Sequence, residues 1–248
     1  MMATSTTAQC APAQQPPTPG LLCQRFPRSG PLSGNLNLDR DALVHQIGGL
    51  RGTVYCYILT TVKDAGGEFA QVGCAPNFQG GLVTLCTCKG QMRAGRDIEA
   101  WEVGDIWIAG VAGAEAGPLG TGHLFYLMRV EHAFASHRDL WAWLSAHAPK
   151  AAQAKAADRH PLGDVYRPRD PSGDPYDPRA YALPCRDHPH ADNEAWHEDV
   201  NYPSTYGRRP ALLVGDPHCS YLWSRPRVSV PFHVSRGCKI VDLATLLA

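Results

Sequence analysis

The chain has 248 residues and a hydrophobic content of 44%, which suits one globular domain with extensions. Its 23 basic and 23 acidic residues give a formal net charge of zero. This balance excludes broad, non-specific binding to nucleic acid, so any such contact has to be local.

Cysteine usage and hydropathy indicate the compartment. Nine cysteines are scattered without a C-x-x-C pair, which favours reduced thiols in a cytoplasmic protein. With no secretory signal and no apolar run near the roughly 18 residues that a membrane helix needs, we expect a soluble protein without a membrane partner. Residues 1–38 lack acidic side chains and are rich in Ala, Ser, Thr, Pro and Gln, which predicts a disordered extension before a single domain at 39–248.

The first predicted elements of that domain are a helix and a central strand. Asp39 can cap a helix that carries Leu43 and Ile47 on one face, and Gly48 can end it. A β-branched and aromatic strand follows at 54–60. The strands predicted after it cover 82–86, 104–109, 123–130, 211–214 and 227–232.

The second half of the domain combines a helix with a long loop. Ser136 predicts a helix start, on which Leu140 and Leu144 stack and which Pro149 limits. Residues 159–203 are crowded with Pro, Asp, His and Arg, and we expect a long polar loop there. Because the strands do not alternate with helices as βαβ units, the sequence predicts an α+β fold. We expect a curved, mostly antiparallel β-barrel with flanking helices.

Several polar residues of the first half can bind a ligand. Lys89 and Arg93 follow a strand directly, where two cations can hold a phosphate, unless they are ordinary surface charges at a turn. Asp105 follows a glycine, as in a tight turn. Trp107 on the next strand would either stack on a base at the barrel mouth or pack in the core.

A nucleophile is the chemical alternative at this corner. Cys88 adjoins Lys89, and a nearby cation lowers the pKa of a thiol. Its candidate bases are His123, His188, His190 and His197. The competing interpretation is a half-buried structural thiol.

The richest set of potential metal ligands lies in the polar loop. His188, His190 and His197 have the side chains that zinc or a redox metal prefers, whereas Pro189 blocks a helix interior and favours a solvated loop. No cofactor is expected, because the phosphate-binding P-loop and the G-x-G-x-x-G fingerprint are both absent.

One set of blocks, within roughly residues 54–234, carries a family resemblance. Its members are Asn77-Phe78, Gly80, Thr84-Leu85, Cys88-Lys89, Arg93, Gly104 to Gly110 and Leu124 to Val130, with looser blocks at Gly163 to Tyr166 and Leu212 to Gly215. Together they resemble the nucleotide modification associated domain 2 family. The order of elements is also similar to the PUA-like barrels, including the ASCH and EVE types.

The resemblance implies a domain that binds a nucleotide or modified base and is associated with DNA base modification systems. The expected pocket is lined by Asn77, Lys89, Arg93, Asp105 and Trp107, and its partner would be a nucleotide, a modified base or a nucleic acid.

Two other classes of function remain open from the residues. One is an enzyme that acts on nucleotides or bases through Cys88 or through a metal held by His188 and His190. The other is a structural zinc-binding protein.

Overall fold

A central sheet organises the fold. The computed structural model describes residues 22–191, 195–235 and 237–248. Within them the strands are β1 (Thr53–Leu59), β2 (Val62–Asp64), β3 (Phe69–Gln71), β4 (Thr84–Leu85), β5 (Ile106–Ala112), β6 (Leu124–Phe134), β7 (Leu212–Leu222) and β8 (Cys238–Asp242). Six of them form one sheet in the order β4-β7-β6-β5-β1-β8, and β2 and β3 form a separate hairpin. All neighbours are antiparallel except β1 and β5.

The predicted α+β class is confirmed, whereas no closed barrel is formed in the described part of the chain, so the expected curved, PUA-like barrel is not confirmed. Strands β4 and β8 lie at opposite edges of the sheet and do not pair with each other. Alternating apolar residues indicate which strand faces are buried, whereas closure depends on pairing between edges. Here β4 has only two residues and most of β8 is exposed.

One predicted strand was wrong. Residues 227–232 make only an isolated bridge, between Ser229 and His123; Pro226 precedes them and Pro231 lies among them. Proline removes a backbone donor, which limits the length of a ladder. The last strand is instead β8, whose exposed side chains give it no hydrophobic alternation.

Short helices connect and cover the sheet. They are α1 (Pro31–Gly34), α2 (Arg40–Ile47), α3 (Gly90–Arg93), α4 (Ile98–Glu102), α5 (Gly117–Gly120), α6 (His137–His147), α7 (Pro149–Lys155), α8 (Trp196–Val200) and α9 (Leu243–Leu247). The predicted caps are confirmed, since Asp39 accepts from Ala42 N at 2.9 Å and Ser136 accepts from Asp139 N at 3.2 Å. Across the described ranges, no helix has the length and apolarity needed to cross a membrane.

Both faces of the sheet are buried. The main core includes Phe125 and Tyr126, consecutive residues of β6 whose side chains point to opposite faces of the sheet. A smaller cluster, which contains Leu140 of α6, Ala151 of α7 and Leu212 of β7, joins these two helices to the beginning of β7. Burial on both faces makes the sheet a rigid support for the loops at its edges.

The folded domain begins earlier than predicted. Gln24 is buried and donates from its amide to Gly73 O at 2.8 Å and to Pro76 O at 2.9 Å. Leu32 on α1 is fully buried in the main core. Residues 22–38 therefore belong to the domain, and the rest of the predicted extension lies outside the described residues.

The predicted polar loop at 159–203 has a core of its own. Tyr166, Tyr181 and Trp196 form a buried cluster with Ala157 and Val200. Hydrophobic periodicity missed this cluster because its members are far apart in sequence. Much of the segment has no regular secondary structure, but it is packed. It places α8 close to the sheet.

Candidate functional site

Lys89 lies four residues after the end of β4 and has a left-handed backbone conformation. Lys89 has φ 59° and ψ 38°, and α3 begins directly after it. Its side chain is half-buried, and Nζ lies 5.0 Å from the centroid of the Tyr57 ring. The Tyr57 hydroxyl is in turn 2.9 Å from that of Tyr126 in the core. The Lys89 ammonium group therefore packs against Tyr57, which is itself paired with Tyr126 in the core.

Lys89 lines a cleft of about 640 Å³ between α3, β8 and the loop after α8. The cleft is lined by Tyr55, Thr87, Lys89, Gly90, Gln91, Met92, Gly95, Tyr202, Tyr206, Gly237, Cys238 and Ile240. Among these described residues Lys89 is the single one with a charged side chain, and none carries a carboxylate. A pocket of this size with one cation suits a small anionic ligand.

Three of the residues that line the cleft are tyrosines. Tyr202 packs on Gly90 so closely that a Cβ there would lie 2.7 Å from its ring, so a larger residue at this position would displace the tyrosine. The Tyr55 hydroxyl accepts from Arg96 Nε at 2.6 Å. Tyr206 is 56% exposed at the rim. Such rings offer flat surfaces on which a planar group can stack.

Arg93, the predicted partner of Lys89 at a phosphate, lies in the interior. Its side chain is buried and donates from Nε to Cys88 O at 2.8 Å and from Nη1 to Ala211 O at 2.6 Å. Burial lowers the pKa of its guanidinium. Arg93 thus fixes the corner before Lys89, and the prediction that it holds a phosphate is corrected.

Asn77 is also structural and does not reach the cleft. It is fully buried, donates to Leu162 O at 2.7 Å and accepts from Lys155 Nζ at 3.0 Å. Beside it, Thr84 Oγ1 donates to Asp164 Oδ2 at 2.8 Å. Burial raises the pKa of Asp164 to about 6 and lowers that of Lys155 to about 8. These groups tie α7 and the 162–165 segment to β4.

Asp105 and Trp107 are likewise outside the cleft. Asp105 is an exposed turn residue with φ 42°, and its carbonyl accepts from Thr53 N at 3.1 Å. Trp107 is fully buried, and a Cβ on Gly52 would lie 2.7 Å from its ring. Trp107 therefore packs in the core and does not stack on a base.

The electrostatics at Cys88 disfavour a nucleophile. Its Sγ lies 3.8 Å from Ala75 O, and the thiol also interacts with the Tyr57 hydroxyl. Burial raises the pKa of Cys88 to about 11, although Arg93 and Lys89 act in the opposite direction. The predicted effect of the lysine is present but is outweighed, so the thiol stays protonated at neutral pH.

In its neutral form His188 has no free lone pair with which it could act as a base or bind a metal. Its Nδ1 accepts from His190 N at 3.1 Å, so Nε2 carries the proton and donates to Gly163 O at 3.0 Å. Nε2 is also 3.6 Å from Cys74 Sγ. Since burial lowers the pKa of His188 and raises that of Cys74, both stay neutral, and His188 cannot accept the thiol proton.

The other two histidines have separate environments. His190 donates from Nδ1 to Asp199 Oδ2 at 2.6 Å, and this bond raises its pKa. Tyr166 donates to the same oxygen at 2.8 Å. The His197 ring lies 4.4 Å from that of Trp196. Within the described ranges no three His, Cys, Asp or Glu side chains are grouped closely enough to hold a metal ion.

Of the candidates in the sequence, only Lys89 therefore lines the cleft. The tyrosines were missed, although Tyr202 and Tyr206 are aromatic residues four apart in an otherwise polar stretch. That spacing was the available signal. Tyr55 gives no such signal in the sequence, because tyrosines on strands are commonly core residues.

Comparison with known proteins adds no relative: no family model, curated protein or solved structure matches this chain. The resemblance to the nucleotide modification associated domain 2 family accordingly stays a prediction from the sequence.

Proposed function

We propose that the chain binds a nucleotide or modified base in the cleft beside Lys89. The observation that carries this proposal is that the described residues lining the cleft combine three tyrosines with one half-buried cation, Lys89, and include no carboxylate. Lys89 would contact the phosphate as a point charge. Tyr202 and Tyr206 would contact the base through their rings.

Electrostatics and size support this assignment. The cleft volume of about 640 Å³ falls in the usual range for small-molecule sites. A carboxylate in the lining would repel a phosphate, and the part of the lining that the structure describes has none. Metal-based or thiol-based catalysis gains no comparable support, because Cys88 is held protonated and the histidines are engaged elsewhere.

The test is titration calorimetry with dCMP, 5-methyl-dCMP, dAMP and N6-methyl-dAMP. We expect Lys89→Ala to weaken binding by about 1.5–3 kcal/mol, because a charged hydrogen bond is lost. Its melting temperature should stay close to that of the wild type. Lys239→Ala is the matched control, since Lys239 is on β8 but does not line the cleft.

A second pair of variants examines the base. Tyr206→Ala should weaken binding, whereas Tyr206→Phe should retain it because the ring is preserved. Absence of binding by all four nucleotides, or equal affinity in Lys89→Ala and the wild type, would contradict the proposal.

A further inference from the structure

A second cleft adjoins the one that holds Lys89. It has a volume of about 350 Å³ and is lined by Asn201, Tyr202, Pro203, Ser204, Gly207, Arg208 and Arg209. Tyr202 lines both clefts. Arg208 Nη2 also reaches Gly95 O, which belongs to the first cleft, at 3.4 Å. The two clefts are therefore adjacent and share Tyr202.

The second cleft contains two arginines, Arg208 and Arg209, whose present contacts do not hold them strongly. Arg208 Nη1 lies 3.2 Å from Asp97 Oδ1, with side chains 40% and 66% exposed. An exposed ion pair of this kind contributes little, and a phosphate can replace its carboxylate. Arg209 lies 3.7 Å over the Tyr176 ring and bonds the neutral side chain of Asn201. The described residues that line this cleft include no acidic one.

The two clefts together offer three cations, Lys89, Arg208 and Arg209, and the rings of Tyr202 and Tyr206. A single strand of nucleic acid has complementary groups, with one phosphate and one flat base in each nucleotide. A free mononucleotide would leave the second cleft unused.

We propose that the bound nucleotide is part of a single-stranded nucleic acid. In this arrangement Lys89 contacts the phosphate of the nucleotide in the first cleft, and Arg208 and Arg209 contact the phosphate of its neighbour. The inference rests on the proposed function of the first cleft and extends it from a nucleotide to a strand.

The test compares a fluorescein-labelled DNA hexamer with a mononucleotide. We expect the Arg208→Ala/Arg209→Ala double variant to bind the hexamer at least tenfold more weakly. The slope of log Kd against log salt should fall by roughly 1.4, since each contact to a single strand contributes about 0.7. Mononucleotide affinity should change less than twofold. Lys89→Ala should weaken both ligands.

Controls separate this result from a loss of folding. Arg179→Ala is matched to Arg208, because Arg179 is an exposed arginine paired with an aspartate and lines neither cleft. Arg208→Ala alone provides a second variant, since its ion pair is exposed and its removal should leave the melting temperature unchanged.

Three outcomes would overturn the inference. In the first, the double variant binds the hexamer as the wild type does, or the hexamer binds no more tightly than the mononucleotide. In the second, an abasic hexamer or inorganic polyphosphate binds equally well, which would indicate a simple polyanion site. In the third, neither DNA nor mononucleotide binds and Lys89→Ala changes nothing, so that the proposed function itself fails.

Discussion

At the scale of single residues, neighbours in the sequence have separate roles at the corner after β4. Lys89 faces the cleft, whereas Arg93 is buried and holds the carbonyls of Cys88 and Ala211. Spacing alone predicted two equivalent phosphate ligands. The difference arises because α3 begins at Gly90 and turns Arg93 inward. The number of residues between two basic residues does not predict whether the side chain of either one is buried.

The protonation state of Cys88 is open to measurement. Because burial raises its pKa to about 11, about one thiol in ten thousand is ionised at pH 7. The rate of iodoacetamide labelling at Cys88, followed by peptide mass spectrometry on the native protein, should therefore rise about tenfold per pH unit up to pH 9. A plateau below pH 8 would contradict this and would restore the nucleophile hypothesis.

At the scale of elements, the strands that were predicted well are those whose side chains are mostly buried. The predictions at 54–60, 104–109 and 123–130 correspond to β1, β5 and β6, which lie side by side in the sheet. The edge strand β8 was missed because its solvent-facing residues carry no periodic signal. Since β8 forms one wall of the cleft, the site could be predicted only in part.

Close packing between β5 and β6 gives a test at this scale. A Cβ on Gly110 would lie 2.3 Å from the Tyr126 ring and 2.6 Å from Leu59, and both side chains are buried. We expect Gly110→Ala to lower the free energy of unfolding by about 1–3 kcal/mol in urea denaturation.

Gly34→Ala is the control for this variant. Its Cβ would meet no atom within 4 Å, so stability should change by less than about 0.5 kcal/mol. Equal stability of the two variants would mean that the sheet yields at Gly110, and the close contact would then not constrain the fold.

At the scale of the whole molecule, buried ionisable groups link folding to pH. His137 is buried, accepts from Tyr166 N at 3.3 Å, and has its pKa lowered to about 3, first by burial and then by Arg93. The unfolded chain therefore binds a proton between pH 6.5 and 3 that the folded protein does not bind, and stability falls as pH falls through this window. Asp164, with its raised pKa, acts in the opposite direction between about pH 4 and 6.

Urea denaturation at several pH values isolates the contribution of His137. His137→Asn keeps an acceptor for Tyr166 N but cannot titrate. We expect the wild type to lose roughly 2–4 kcal/mol more than this variant on acidification from pH 7 to pH 3.5. Parallel curves for the two proteins would show that His137 is accessible to protons in the folded state.

The position of β8 has a consequence for how the molecule folds. Strands β1 and β8 pair with each other although most of the chain lies between them in sequence, and Thr53 is opposite Asp242. Contacts between such distant residues pay a large loop-closure entropy and tend to form late in folding. Cys238 and Ile240, which line the cleft, belong to this strand. We therefore expect this cleft to be among the last parts of the protein to form, and local opening of the edge strand would change the cleft while the rest of the sheet stays intact.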